Sequence, residues 1–178
     1  MTLQMDTFAK DNLPPREEWP DLINLDQLGY PEQLNCGVEL LDKAVEEGCG
    51  ERIVLRSPTE TWTYADLLDK SNRIARVLTE DLEMLPGERV LLPGPNNPML
   101  VACWFGIVRA GGIVVATMPL LRAKELITIV DKAEVRLALY DHRMADKLGC
   151  AQEYFQEPEN DPAACDSLHL ERTAAFGN

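Results

Sequence analysis

Arg89-Val-Leu-Leu-Pro-Gly-Pro-Asn-Asn-Pro-Met-Leu-Val-Ala-Cys-Trp-Phe-Gly-Ile-Val-Arg-Ala-Gly-Gly-Ile-Val-Val-Ala-Thr-Met-Pro-Leu-Leu-Arg122 decides the fold, together with Val135-Arg-Leu-Ala-Leu-Tyr140 beyond it. Three short β-branched or aliphatic runs, Val90–Leu92, Ile113–Ala116 and Val135–Tyr140, alternate with two segments of helical length. That alternation predicts an α/β fold with a mainly parallel sheet and crossover helices. Runs of near-continuous Val, Ile and Leu are what strands buried on both faces require.

The joints agree with this reading. Asn97 can cap a helix by accepting backbone N–H bonds, and Pro98 suits the first helical position, where a missing N–H costs nothing. The helix should reach Ala110 and stop at Gly111-Gly112, because glycine tolerates the left-handed conformation of a C-terminal cap. A second helix places Ala123, Leu126, Ile127 and Val130 on one apolar face through i, i+3, i+4, i+7 spacing.

Working outward, Asn35 should cap a helix through Val38, Leu41, Ala44 and Val45 that ends at Gly48. Arg52–Arg56 and Thr61–Thr63 flank a Ser57-Pro58-Thr59-Glu60 turn and predict a hairpin. Thr63 and Asp66 form a variant capping box ahead of a helix with an apolar stripe of Leu67, Leu68, Ile74, Ala75, Leu78 and Leu82. Pro86-Gly87 breaks that helix before the next strand. Asp141 should begin a short polar helix to about Gly149. Three parts result: an irregular arm over residues 1–33 that wraps the surface, an α/β segment over 34–150, and a weakly structured tail over 151–178.

Val108-Arg-Ala-Gly-Gly-Ile-Val-Val-Ala116 and, upstream at a compatible spacing, Trp62-Thr-Tyr-Ala-Asp-Leu67 resemble the second and first core motifs of the adenylate-forming enzymes. Within that family the 2-aminobenzoate–CoA ligases are resembled by Asp6-Thr-Phe-Ala-Lys-Asp-Asn-Leu-Pro-Pro15, Trp19-Pro20, Leu34-Asn-Cys36 and Ala116-Thr-Met-Pro-Leu-Leu-Arg122. The resemblance covers about residues 5–150. It implies the opening portion of an enzyme that joins an aryl acid to coenzyme A, using ATP and magnesium, through an acyl-adenylate. Its partners would be an aryl acid, ATP and coenzyme A. The family's Ser/Thr/Gly-rich phosphate loop ending in lysine, its later nucleotide and magnesium motifs and its C-terminal lysine have no counterpart in these 178 residues. No cofactor is therefore expected on this stretch, and no turnover from it alone.

Composition bounds the alternatives. A net charge of −13 and a pI near 4.5 disfavour nucleic acid and anionic membranes as partners. No apolar run approaches the roughly 20 residues of a membrane span, and the N-terminus has no signal-peptide pattern, so the expected location is the cytoplasm. Cys36, Cys49, Cys103, Cys150 and Cys165 form no Cys-x-x-Cys pair, and only His142 and His169 could assist them. Reduced, unligated thiols are expected, with Cys103 acting as a small hydrophobe.

Each residue that suggests chemistry has a structural reading that outweighs it. Pro93–Pro98 links a strand to a helix N-terminus, but three prolines remove donors a phosphate cradle needs. Arg109 lies in the last turn of a helix, where a cation meets the helix dipole favourably. His142 follows the last strand beside Asp141, yet Asp141 suits a cap and no nucleophile is paired with the histidine. Trp62 and Trp104 read as packing residues, as do Met99 and Met118; a role for Trp104 in lining an aryl pocket would need the complete enzyme. The sequence thus assigns no catalytic, cofactor-binding or metal-ligating residue. Two other function classes stay open: a non-catalytic module acting by association through exposed apolar surface, and a dinucleotide-binding oxidoreductase domain. The second rests on β-α-β alternation and lacks the glycine fingerprint.

Overall fold

A computed structural model describes residues 5–21, 25–31, 33–144 and 172–176. Its centre is β3 (Arg89–Pro93), in which every residue is buried. Alternation along this strand creates two cores, because successive side chains point to opposite faces. Val90 and Leu92, with Leu137 and Leu139 of β5 (Leu137–Asp141), pack against Leu78, Met84, Cys103 and Ile107. Leu91 and Ala138 face the other way and meet Leu126, Val130 and Val135.

The strand order is β4-β3-β5-β6, with β4 at Ile113–Thr117 and β6 at Arg172–Phe176, and each pairing is parallel. Helix α3 (Pro98–Arg109) connects β3 to β4, and α4 (Ala123–Lys132) connects β4 to β5. The expected α/β architecture with a mainly parallel sheet is present. A separate antiparallel hairpin of β1 (Ile53–Arg56) and β2 (Thr61–Thr63) stands beside it. A third core joins the hairpin to the helices through Leu41, Trp62, Leu67 and Ala102.

Local chemistry sets the helix ends. The Asn97 side chain accepts from Leu100 N at 2.8 Å, and Pro98 fills the first position of α3. Gly111 follows that helix with φ +81, the left-handed value expected of the terminator. At α2 (Tyr64–Arg76) the capping box is reciprocal: Asp66 N donates to Thr63 Oγ1 at 3.2 Å, and Thr63 N donates to Asp66 Oδ2 at 2.9 Å. Asn35 Oδ1 accepts from Gly37 N and Val38 N and so starts the helical segment 36–49. Gly48, at φ +86, interrupts that segment near its end.

Three expectations need correction. β4 is not buried on both faces: its residues are half-buried and Ala116 is exposed, because β3 is its only strand neighbour among the described residues. Asp141 does not begin a helix; it ends β5, opposite Phe176, and a single tight turn follows at His142–Met144. The remainder of the expected 141–149 helix lies outside the described residues. Within the segment read as a weakly structured tail, Arg172–Phe176 form β6, in register with all five residues of β5. Parallel pairing supplies the partner that the short, polar-flanked run could not advertise by itself.

Short helical turns mark the arm at α1 (Phe8–Asp11), Arg16–Glu18 and Leu25–Leu28. Residues 11–21 are exposed throughout, whereas Asp6 and Phe8 are half-buried. No helix among the described residues is long and apolar enough to cross a membrane.

Candidate functional site

Open α/β sheets bind ligands beyond the carboxyl ends of their strands. Here that edge is formed by Gly94 to Asn97 after β3, Thr117 to Leu120 after β4, Asp141 to Arg143 after β5, and Phe176 at the end of β6. The elements hold these groups close together. A Cβ placed on Gly94 would lie 2.9 Å from Leu100 Cδ1, 3.4 Å from Phe176 Cζ and 3.8 Å from Asp141 Cβ.

Asp141 is the buried charge of this edge, with 1% of its surface exposed. Oδ1 accepts from Arg143 N at 3.0 Å and Arg143 Nε at 2.8 Å. Oδ2 accepts from Arg143 Nη2 at 2.7 Å and, more weakly, from Asn97 Nδ2 at 3.4 Å. The guanidinium of Arg143 holds the carboxyl at about 2, against the opposing effect of burial. A carboxylate ionised and occupied in this way caps the following turn and does not exchange protons near neutrality. His142 projects outward, with Nδ1 3.6 Å from Asp141 Oδ1, beyond hydrogen-bond range. The pair forms no general-base dyad. Among the described residues, Thr117 Oγ1 at the end of β4 is buried without a hydrogen-bond partner.

Nor does the turn after β3 fit a phosphate. Pro93, Pro95 and Pro98 carry no N–H, and Asn97 Oδ1 already accepts from Leu100 N. Among the described residues no group of three or more His, Cys, Asp or Glu is arranged to hold a metal ion. Trp62 is buried, donates from Nε1 to Glu60 Oε2 at 2.8 Å and lies under the Lys70 ammonium. Trp104 is half-exposed and meets Phe105 edge-on, with centroids 5.1 Å apart. Cys103 lies in the core, where burial pushes its thiol up to about 12. Cys36 and Cys49 are free thiols; Cys150 and Cys165 lie outside the described residues.

Two charged residues acquire partners that periodicity did not reveal. Arg109, expected to answer the helix dipole, forms a bidentate pair with Asp42, with Nη2 donating to Oδ1 at 3.0 Å. That hydrogen bond holds the Asp42 carboxyl below its ordinary value. Asn35 strengthens the same joint by donating from Nδ2 to the carbonyls of Val108 and Arg109. Arg89 is buried at the opposite end of the sheet. Its guanidinium donates to the carbonyls of Ala133 at 2.9 Å, Gly87 at 3.2 Å and Glu134 at 3.0 Å. A charged residue at the head of a wholly apolar strand was the available signal, since buried arginines need partners.

A model of the AMP-binding enzyme family matches residues 41–174. The chain belongs to that family. As an AMP-binding family chain, it is 26% identical over 137 residues to the 3-hydroxybenzoate–CoA/4-hydroxybenzoate–CoA ligase of Thauera aromatica. That alignment covers 77% of this chain and 25% of the ligase. It is also 41% identical over 64 residues to the salicyl-AMP ligase / salicyl-S-ArCP synthetase of Mycobacterium tuberculosis, covering 36% of this chain and 11% of that protein. Among solved structures, the anthranilate CoA ligase AuaEII in complex with anthranoyl-AMP superposes with a TM-score of 0.65 at 21% identity. It covers 71% of this chain and 24% of that one. The N-terminal domain of FACL13 from Mycobacterium tuberculosis covers 80% of this chain and 34% of its own, with a TM-score of 0.63 at 21% identity. Those two likenesses establish the fold. The chain spans about a quarter of the length of the first curated relative it matches. The oxidoreductase alternative gains nothing from these matches.

Proposed function

We propose that these residues are the N-terminal part of an ATP-dependent aryl acid–CoA ligase. A 2-aminobenzoate or benzoate-like acid is its substrate, and aryl-CoA, AMP and pyrophosphate are its products. The family match over residues 41–174 carries the reading. Support for the acid class comes from relatives named for hydroxybenzoate, salicyl and anthranilate chemistry, and from the Asp6–Pro15 and Ala116–Arg122 motifs. ATP, magnesium and coenzyme A would be handled by residues beyond this stretch, and the cytoplasm is the natural compartment for an enzyme drawing on them. The 178-residue chain by itself is inactive. Incubating the purified chain with 2-aminobenzoate, ATP, magnesium and coenzyme A should yield no aryl-CoA by chromatography; product formation overturns this part. The acid class is tested by reading the gene beyond codon 178. A continuation encoding the Gly-rich loop and lysine should, when expressed whole, activate 2-aminobenzoate in preference to an aliphatic acid.

A second reading, a module that acts by association, is supported by β4. Its outer edge lacks a strand neighbour among the described residues, and nearby Met118 and Leu120 are exposed. The chain alone should then elute above monomer size in a concentration-dependent manner, and Ala116→Lys should return it to monomer. Elution as a monomer at all concentrations removes this reading.

A further inference from the structure

Residues 5–8 make four contacts with two groups at the amino end of the parallel sheet, the Pro86 carbonyl and the Arg89 guanidinium. Met5 N and Asp6 N both donate to Pro86 O, at 2.9 and 3.0 Å. The Asp6 carboxylate pairs with Arg89 Nη1 at 2.5 Å. The Phe8 ring lies under the same guanidinium, 4.5 Å from centroid to Cζ. Asp6 O also lies 2.1 Å from where a Cβ on Gly87 would stand, so only glycine admits the segment there. Residues 11–21 are exposed, and Trp19 turns back on its own arm by donating to Pro14 O at 2.9 Å.

Arg89 makes this attachment consequential. Its remaining donors hold Gly87, Ala133 and Glu134, so a single guanidinium joins the turns that precede β3 and β5. Among the described residues, the Asp6 carboxylate is the acidic group paired with it. We propose that residues 5–8 are a strap across the amino end of the sheet, closed by the ionised Asp6 carboxylate and opened when that charge is lost. Opening frees the exposed 11–21 stretch along with it, while the sheet stays assembled through the carbonyl contacts of Arg89.

The charged surroundings of Asp6 favour the closed form near neutrality. Partial burial pushes its carboxyl up, but hydrogen bonds from Arg89 and Phe8 N, together with the charges of Arg89 and Arg136, more than offset this and hold it below its ordinary value. On the adjoining turn Glu88 accepts from Leu85 N, and within the arm Asp11 accepts from Thr7 Oγ1. The stabilisation is therefore complete above the ordinary carboxylate value of 3.8 and is lost as pH falls through the lower, folded-state value.

Amide hydrogen exchange on the full chain, followed by NMR, tests the strap. At pH 7, Asp6→Asn should reduce the protection of the Met5 and residue-6 amides by at least about tenfold, the scale of a lost hydrogen bond to a charged group. Protection of the Leu91 amide in β3 should not change. In the wild type, the two arm amides should lose protection on acidification in step with titration of the Asp6 carboxyl carbon, ahead of β3; in Asp6→Asn the arm should show no such step. Retention of wild-type protection in the variant, or persistence of the acid step there, overturns the proposal. Should the variant fail to fold, the wild-type titration decides, and arm release that does not track Asp6 sinks the strap.

Discussion

Asp141 has both carboxylate oxygens occupied by Arg143 and Asn97 although it stands at the edge where α/β proteins bind ligands. Its function is to shape that edge. Asp141→Asn keeps the volume and loses the charge that Arg143 requires. We expect a loss of about 1–2 kcal/mol at pH 7, since hydrogen bonds to charged groups are worth more than this when buried and the exposed Arg143 is partly screened by water. The sign with pH follows from the depressed carboxyl: its contribution is present above 3.8 and disappears as pH falls through about 2. Urea denaturation should therefore show the gap between wild type and variant shrinking below pH 4. A gap unchanged down to pH 2 would exclude this origin.

At the scale of elements, the sequence was most informative where both partners lie within a few residues. Asn97-Pro98, Thr63 to Asp66 and Gly111 each specify a helix end by local geometry, and each is found in its expected role. The packing of one helix on another was not legible, because it depends on where a distant surface arrives. Gly106 shows this. A Cβ there would stand 2.5 Å from Ile74 Cγ2 and 2.8 Å from Ile74 Cβ, so α2 and α3 approach through the missing side chain. Helix propensity favours Ala over Gly by about 1 kcal/mol, but overpacking of this kind costs about 1–3 kcal/mol. Gly106→Ala should accordingly destabilise the protein on thermal melting, and by less in an Ile74→Ala background, where the colliding Cγ2 is absent. A variant more stable than wild type would mean that α2 and α3 can separate without loss.

Across the whole molecule, the α/β class and three strands of the main sheet were legible because burial on two faces leaves continuous apolar runs. The fourth, β6, was not. Arg172-Thr-Ala-Ala-Phe176 is too short and too small in its side chains to stand out, and its identity as a strand comes from β5. The candidate site was less legible than the fold. Asp141 was read as the cap of a helix and caps only the His142–Met144 turn, where Arg143 pairs with it, while the Asp42–Arg109 joint and the carbonyl-gathering Arg89 depend on tertiary neighbours.

Gly106 also has a meaning for inheritance. Any single-nucleotide missense change in a glycine codon introduces at least a Cβ, and alanine is the mildest product available. Since even that Cβ collides with Ile74, no single-step missense allele at codon 106 leaves the contact between α2 and α3 untouched. A gene that still encodes glycine there preserves a contact which one mutation would damage and only a coordinated second change could repair.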